Sequence, residues 1–194
     1  MSNPVKRHKG PAPRPANDNS NLRDRLRAAR IGWSDAIFGA IGWGAAMALS
    51  AQAWLWLSMA ALTTHYWSIT ALVFCGAALA WPLSLASFRF IAFRRSREAA
   101  FAAAFLCLTL FTLGVTAVLF AIIYRNFYAQ WHGDPFTKLW LLQLVFTSAA
   151  AVYQFAVVGV RLYLPLGVAF LFGASFMLAR ANGRRMPPRT GRFS

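Results

Sequence analysis

The sequence predicts an all-α fold: a polytopic integral membrane helix bundle of four to five transmembrane helices with disordered basic termini. Three observations carry that expectation. Residues 36 to 88 bear no formal charge, and neither do 99 to 124, 139 to 160 or 162 to 179. One helical crossing needs about 20 apolar residues, so the first run holds two spans and each later run holds one. Next, 58% of the 194 residues are hydrophobic, and the charges gather at the ends of the runs instead of alternating along amphipathic stripes as in a soluble core. Last, 20 Lys and Arg face only five acids, and the basic residues are segregated, with eight in 1–30, four in 89–97 and five in 180–192. Such a loop bias is what the positive-inside rule describes.

Residues 1–19 are rich in Pro, Asn and Lys with little to bury, which predicts a disordered basic tail. Lys6, Arg7, Lys9 and Arg14 could serve as a nucleic-acid arm, but topology alone explains the basic excess. The expected partner of these residues is therefore a lipid bilayer with anionic headgroups, not nucleic acid. Residues 20–32 read as an amphipathic surface helix capped by Ser20, with Leu22, Leu26, Ala29 and Trp33 on one face and Arg23, Arg25, Arg27 and Arg30 over the rest.

The transmembrane domain is placed at 33–181. Its first span, near 33–58, sets Gly32, Ala36, Ala40, Gly44 and Ala48 at steps of four, which makes a helix-packing face. Small residues let backbones approach when lipid removes the hydrophobic incentive to associate. This span is expected to be the most buried. Ala51-Gln52-Ala53 resembles a leader-cleavage site, but the long charged region before it and the apolar sequence after it argue against cleavage. A second span near 67–92 contains Pro82, a kink site, and ends in Arg89, Arg94, Arg95 and Arg97. A third, near 99–124, aligns Thr109, Thr112 and Thr116, whose hydroxyls can bond back to their own helix.

Trp54, Trp56, Tyr66 and Trp67 cluster at the first turn on the far side, and Tyr124, Tyr128, Trp131 and Trp140 cluster at the second, which Gly133, Asp134 and Pro135 form. Amphipathic rings favour the headgroup level, so both turns are expected on one side and the amino terminus in the cytoplasm of a bacterial cell, with the chain multi-pass in the inner membrane.

Residues 138–181 are too long for one crossing, since a continuous helix would extend about 66 Å. A break near Arg161 with a new helix from Pro165 gives spans near 139–160 and 164–180. Five crossings would place Arg180, Arg184, Arg185, Arg189 and Arg192 of the basic tail 182–194 and its approach outside, whereas four crossings and a half-inserted segment would keep them inside. Leu, Phe and Val each favour insertion by about 0.3–0.6 kcal/mol, which tips the balance toward five segments.

Few residues could carry chemistry. Asp35 is the candidate intramembrane acid, either an ion or proton site or a charge suited to a helix start; the second fits its position better. Gln143, Thr147, Ala150, Gln154 and Arg161 share a face of the fourth segment and form a candidate polar stripe, expected to point into the bundle toward a neighbour or a wet path. Cys75 and Cys107 read as small buried hydrophobes, and His65 and His132 make too weak a pair for a metal site. No catalytic residue, cofactor or metal site is expected. The function these features favour is a non-catalytic subunit or assembly factor of a larger membrane complex, partnered by other membrane subunits. A small transporter or oligomeric channel using the stripe is the alternative.

Overall fold

The computed structural model describes residues 18–58, 65–128 and 137–185. Among these residues the architecture is all-helical: α1 (Asp18–Ala28), α2 (Trp33–Leu57), α3 (Tyr66–Ile91), α4 (Arg97–Tyr128), α5 (Lys138–Val157), a 3-10 turn (Gly159–Tyr163) and α6 (Leu166–Arg185). Five helical segments, the fourth taking in the 3-10 turn, are long and apolar enough to cross a membrane. The expected tail at 1–19 falls almost wholly outside the described residues.

Helix α1 starts two residues before the expected 20–32 and stops four residues short of it, so Ser20 lies inside the helix and Gly32 instead precedes α2 as its cap. The early stop has a use, because the Arg30 carbonyl accepts a hydrogen bond from Arg89 at 2.8 Å. Leu22 and Leu26 remain exposed, as suits a helix lying along a membrane surface.

Helices α2, α3 and α4 form consecutive antiparallel hairpins, and one end of the bundle collects α1 with Arg89, Arg94, Arg95 and Arg97. We call this the arginine end and its opposite the aromatic end. Contrary to expectation α3, not α2, has the larger buried share. It is the middle helix of three, flanked on both sides. Gly76 shows how closely α4 approaches: a methyl group added there would sit 2.9 Å from the Thr116 Cα.

The last two helices decide the topology. Near the aromatic end Arg125 stacks over the Trp140 ring, and Phe155 packs on Phe120 with ring centroids 6.2 Å apart. Tyr163, the last residue of the 3-10 turn, has come down only to Thr116. The stretch from Trp140 to Tyr163 is thus matched on α4 only from Arg125 to Thr116, so α5 leans across the aromatic half of α4.

Helix α6 then runs the rest of the way. Phe172 packs against Phe101 and Phe105, Ala179 joins the cluster of Leu85, Phe88, Ala92 and Ala100, and Asn182 Nδ2 donates to the Ala92 carbonyl at 3.2 Å. Its packed face repeats every four residues as Gly167, Leu171, Ser175 and Ala179. The end of α6 therefore lies beside the start of α4, at the arginine end. The five expected apolar segments are present, and the last two, α5 and α6, act in series as one return passage from the aromatic end to the arginine end. Hydropathy reports that a segment is solvated by lipid; it does not report its direction.

Irregular backbone at membrane depth persists only where protein satisfies its polar groups. Here Ser50 on α2 does so: its Oγ donates to the Leu162 carbonyl at 3.1 Å and accepts from the Gly167 N–H at 2.8 Å, bridging the two sides of the break. Tyr163 adds a second tether by donating to Thr116 Oγ1 at 2.9 Å.

Candidate functional site

Two places concentrate polar groups that the helices themselves do not need. The first is a basin of about 1530 Å³ at the arginine end, lined by Arg27 and Arg30 from α1 and the linker after it, Arg89 from α3, and Arg94, Arg95 and Arg97 from the α3–α4 turn and the start of α4. The rest of its wall is largely apolar, with exposed Phe38, half-buried Trp81 and Leu178, and buried Leu85 and Phe88. Asp35 is the one carboxylate in that lining.

Asp35 occupies the first turn of α2, where the helix dipole favours a negative charge. Its Oδ2 accepts from Arg89 Nη2 at 2.7 Å, and its backbone carbonyl accepts from Trp81 Nε1 at 3.1 Å. The Arg89 side chain is 11% exposed and the Asp35 side chain 45%. The pair therefore ties α2 to α3 at the mouth of the basin. Gly39 makes room for this arrangement, since a side chain there would collide with the Trp81 indole.

Backbone strain accompanies the same turn. Arg94 has φ 57°, in the left-handed region that a residue with a Cβ rarely enters. Its guanidinium lies 5.4 Å from the Phe93 ring centroid.

The second place is the outer flank of α5. This helix buries only Ala151 and Phe155. The predicted stripe does not point into the bundle: Gln143 and Thr147 are half-buried, whereas Ala150, Gln154 and Arg161 are exposed. The packed face runs through residues one step further on, and one step is about 100° of rotation, so the stripe lies along the flank instead of beneath the helix. Arg161 falls in the 3-10 turn, outside the helical phase that its spacing assumed.

The small-residue face is used in part. Gly44 and Ala48 are buried, Gly44 lying directly against Phe74 of α3; Ala36 and Ala40 are half-buried, and Gly32 is exposed as the cap. Among the three threonines, Thr112 accepts from Trp43 Nε1 at 2.9 Å and Thr116 receives Tyr163, while Thr109 bonds to the Phe105 carbonyl of its own helix. Cys107 is buried as expected, but Cys75 faces outward, because α3 turns its Gly76 and Ala77 inward at that level. His65 is exposed ahead of α3, and His132 and Trp131 lie outside the described residues. Among the described residues no three His, Cys, Asp or Glu side chains gather as metal ligands would.

The spacing of basic residues pointed to the arginine end, yet the partners Trp81, Trp43, Ser50 and Tyr163 went unnoticed. Each is a lone hydrogen-bonding group in an apolar run, and that was the available signal. In comparisons with known proteins the chain matches no family model, no curated protein and no solved structure.

Proposed function

We propose that this protein is a non-catalytic subunit or assembly factor of a larger membrane complex, residing in a bacterial inner membrane with its arginine end toward the cytoplasm. One observation supports this reading above others: α5 stands at the edge of the bundle with Gln154 and Arg161 exposed among Val152, Tyr153, Val157 and Val158. Polar and charged groups facing hydrocarbon are costly, about 2.5–3.5 kcal/mol for an arginine at mid-membrane, and such groups ordinarily find partners.

The depth of Arg161 follows from its neighbours. Ser50 holds Leu162, and Ser50 stands seven residues before the end of α2, about 10 Å inside it. The acids among the described residues, Asp18 and Asp24 on α1, Asp35 on α2 and Glu98 on α4, all belong to the arginine end, so a second copy offers Arg161 no described carboxylate at its own depth. The occupant that fits is a helix of a different membrane protein carrying a carboxylate.

Within the alternative, a transport path inside a single bundle has less support, because Gln154 and Arg161 face away from it. The same basic segregation that favours a cytoplasmic amino terminus also suits α6, whose end joins the arginine end.

Co-purification from native membranes in mild detergent tests the reading. Wild-type protein should retain a membrane protein at fixed stoichiometry, Arg161→Glu should release it, and a compensating Lys in the partner's helix should restore it. A chain that purifies alone and monodisperse at native expression, with Arg161→Glu indistinguishable from wild type, would refute the proposal.

A further inference from the structure

The basin at the arginine end has no part in the docking reading above, and its composition is unusual. Six guanidinium groups surround one carboxylate, and that carboxylate is already held by Arg89. Arg89 is also engaged by the Arg30 carbonyl, so it belongs to the scaffold. The remaining arginines divide between two walls: Arg27 and Arg30 on one, Arg94, Arg95 and Arg97 on the other, all of them exposed. Between the walls the accessible surface is apolar, built from Phe38, Trp81 and Leu178 over buried Leu85 and Phe88.

We propose that the basin is a binding site for an anionic phospholipid that carries two phosphate groups. Each arginine wall takes one phosphate, and the apolar floor takes the first methylenes of the acyl chains. Four features of the site lead to that chemistry. Planar guanidinium forks match phosphate oxygens in pairs, better than point charges do. A basic pocket between helix ends at a membrane surface suits a multiply charged lipid headgroup. The volume of about 1530 Å³ exceeds the roughly 300–1000 Å³ of pockets that enclose small soluble ligands. A soluble anion would leave exposed Phe38 and half-buried Trp81 and Leu178 uncovered, whereas a lipid covers them.

The α3–α4 turn supports the assignment independently. Arg94 at φ 57° is held in a strained backbone conformation where Gly would be unstrained, and strain of this kind clusters at ligand sites. An arginine in that position keeps a guanidinium on the rim at a cost in stability.

Native mass spectrometry of the detergent-solubilised full chain, titrated with diphosphatidylglycerol, phosphatidylglycerol, phosphatidylethanolamine and inorganic pyrophosphate, tests the site. Diphosphatidylglycerol should bind at one equivalent, at least tenfold tighter than phosphatidylglycerol, with no competition from pyrophosphate at matched concentration. Each basin arginine removed should weaken binding about fivefold, so the double variant Arg94→Gln/Arg95→Gln should lose about 25-fold. Both side chains are exposed, and an unchanged melting temperature would show that the fold is intact. Lys6→Gln/Arg7→Gln removes the same charge from the amino-terminal tail and should leave binding as it was. Equal losses in the two double variants would reduce the effect to diffuse attraction and overturn the site. Equal affinity for the one-phosphate lipid would overturn the two-wall assignment, and full competition by pyrophosphate would make the ligand a soluble anion.

Discussion

Helices α5 and α6 have the same length, 20 residues each, and both arise from uncharged apolar runs, yet the bundle treats them differently. Helix α5 rests on α4 through Ala151 and Phe155 and leaves most of its surface outside. Helix α6 seats a four-residue repeat of Gly167, Leu171, Ser175 and Ala179 against the bundle and reaches from Ser50 to the arginine end. The difference teaches that an apolar run specifies its solvent, while side-chain tethers at its ends specify its course. Helix α5 is held by burial of Ala151 and Phe155 and by Arg125 over the Trp140 ring, and α6 by polar tethers at its start and finish.

Substitutions can separate the two kinds of attachment. The largest effect is expected at Phe155, which is 6% exposed and anchors α5. Phe155→Ala should cost about 4 kcal/mol in a reversible unfolding titration, with faster amide exchange in α5 and no change in α6. Next comes Ser50→Val, which leaves the Leu162 carbonyl and the Gly167 N–H without a partner inside a low-dielectric setting. It should cost about 3 kcal/mol and accelerate exchange at the start of α6 while leaving α5 protected. Tyr163→Phe removes one tether to Thr116 and should cost about 1 kcal/mol by the same titration. Gln154→Leu, on the exposed flank of α5, should leave the stability of the isolated protein unchanged within about 0.5 kcal/mol. A large loss from Gln154→Leu, or equal exchange in both helices after Ser50→Val, would erase the contrast.

Much of this arrangement was legible in the chain, and the rest was hidden for identifiable reasons. Runs of uncharged residues located α2, α3 and α4 closely, because lipid tolerates few charges along a helix. The break near Arg161 was forced by length, and Pro165 marked the restart. The facing of α5 was misread because a polar stripe was assumed to seek the interior. In fact Ala151 and Phe155 pack better against α4 than Ala150 and Gln154 would, and the polar residues were turned out with the flank.

The return of α6 to the arginine end was invisible to hydropathy for a different reason. It depends on Ser50 and Leu162, residues 112 apart in sequence that meet only in the folded bundle. At the basin, the arginines could be counted from the sequence but their apolar floor could not. Phe38, Trp81 and Leu178 come from three helices and line one basin only because α6 descends beside α4 and α2.

Helix α6 ends where α1 and the start of α4 lie, and both the bundle and its basin depend on that placement. Single cysteines introduced at Ser34 and at Ala181, both exposed at the mouth of the basin, can be labelled in sealed, oriented vesicles with a membrane-impermeant maleimide, in a background carrying Cys75→Ser and Cys107→Ser. Both positions should react from the same side and be protected from the other. Labelling of Ser34→Cys and Ala181→Cys from opposite sides would contradict the single return passage of α5 and α6 and the basin with it.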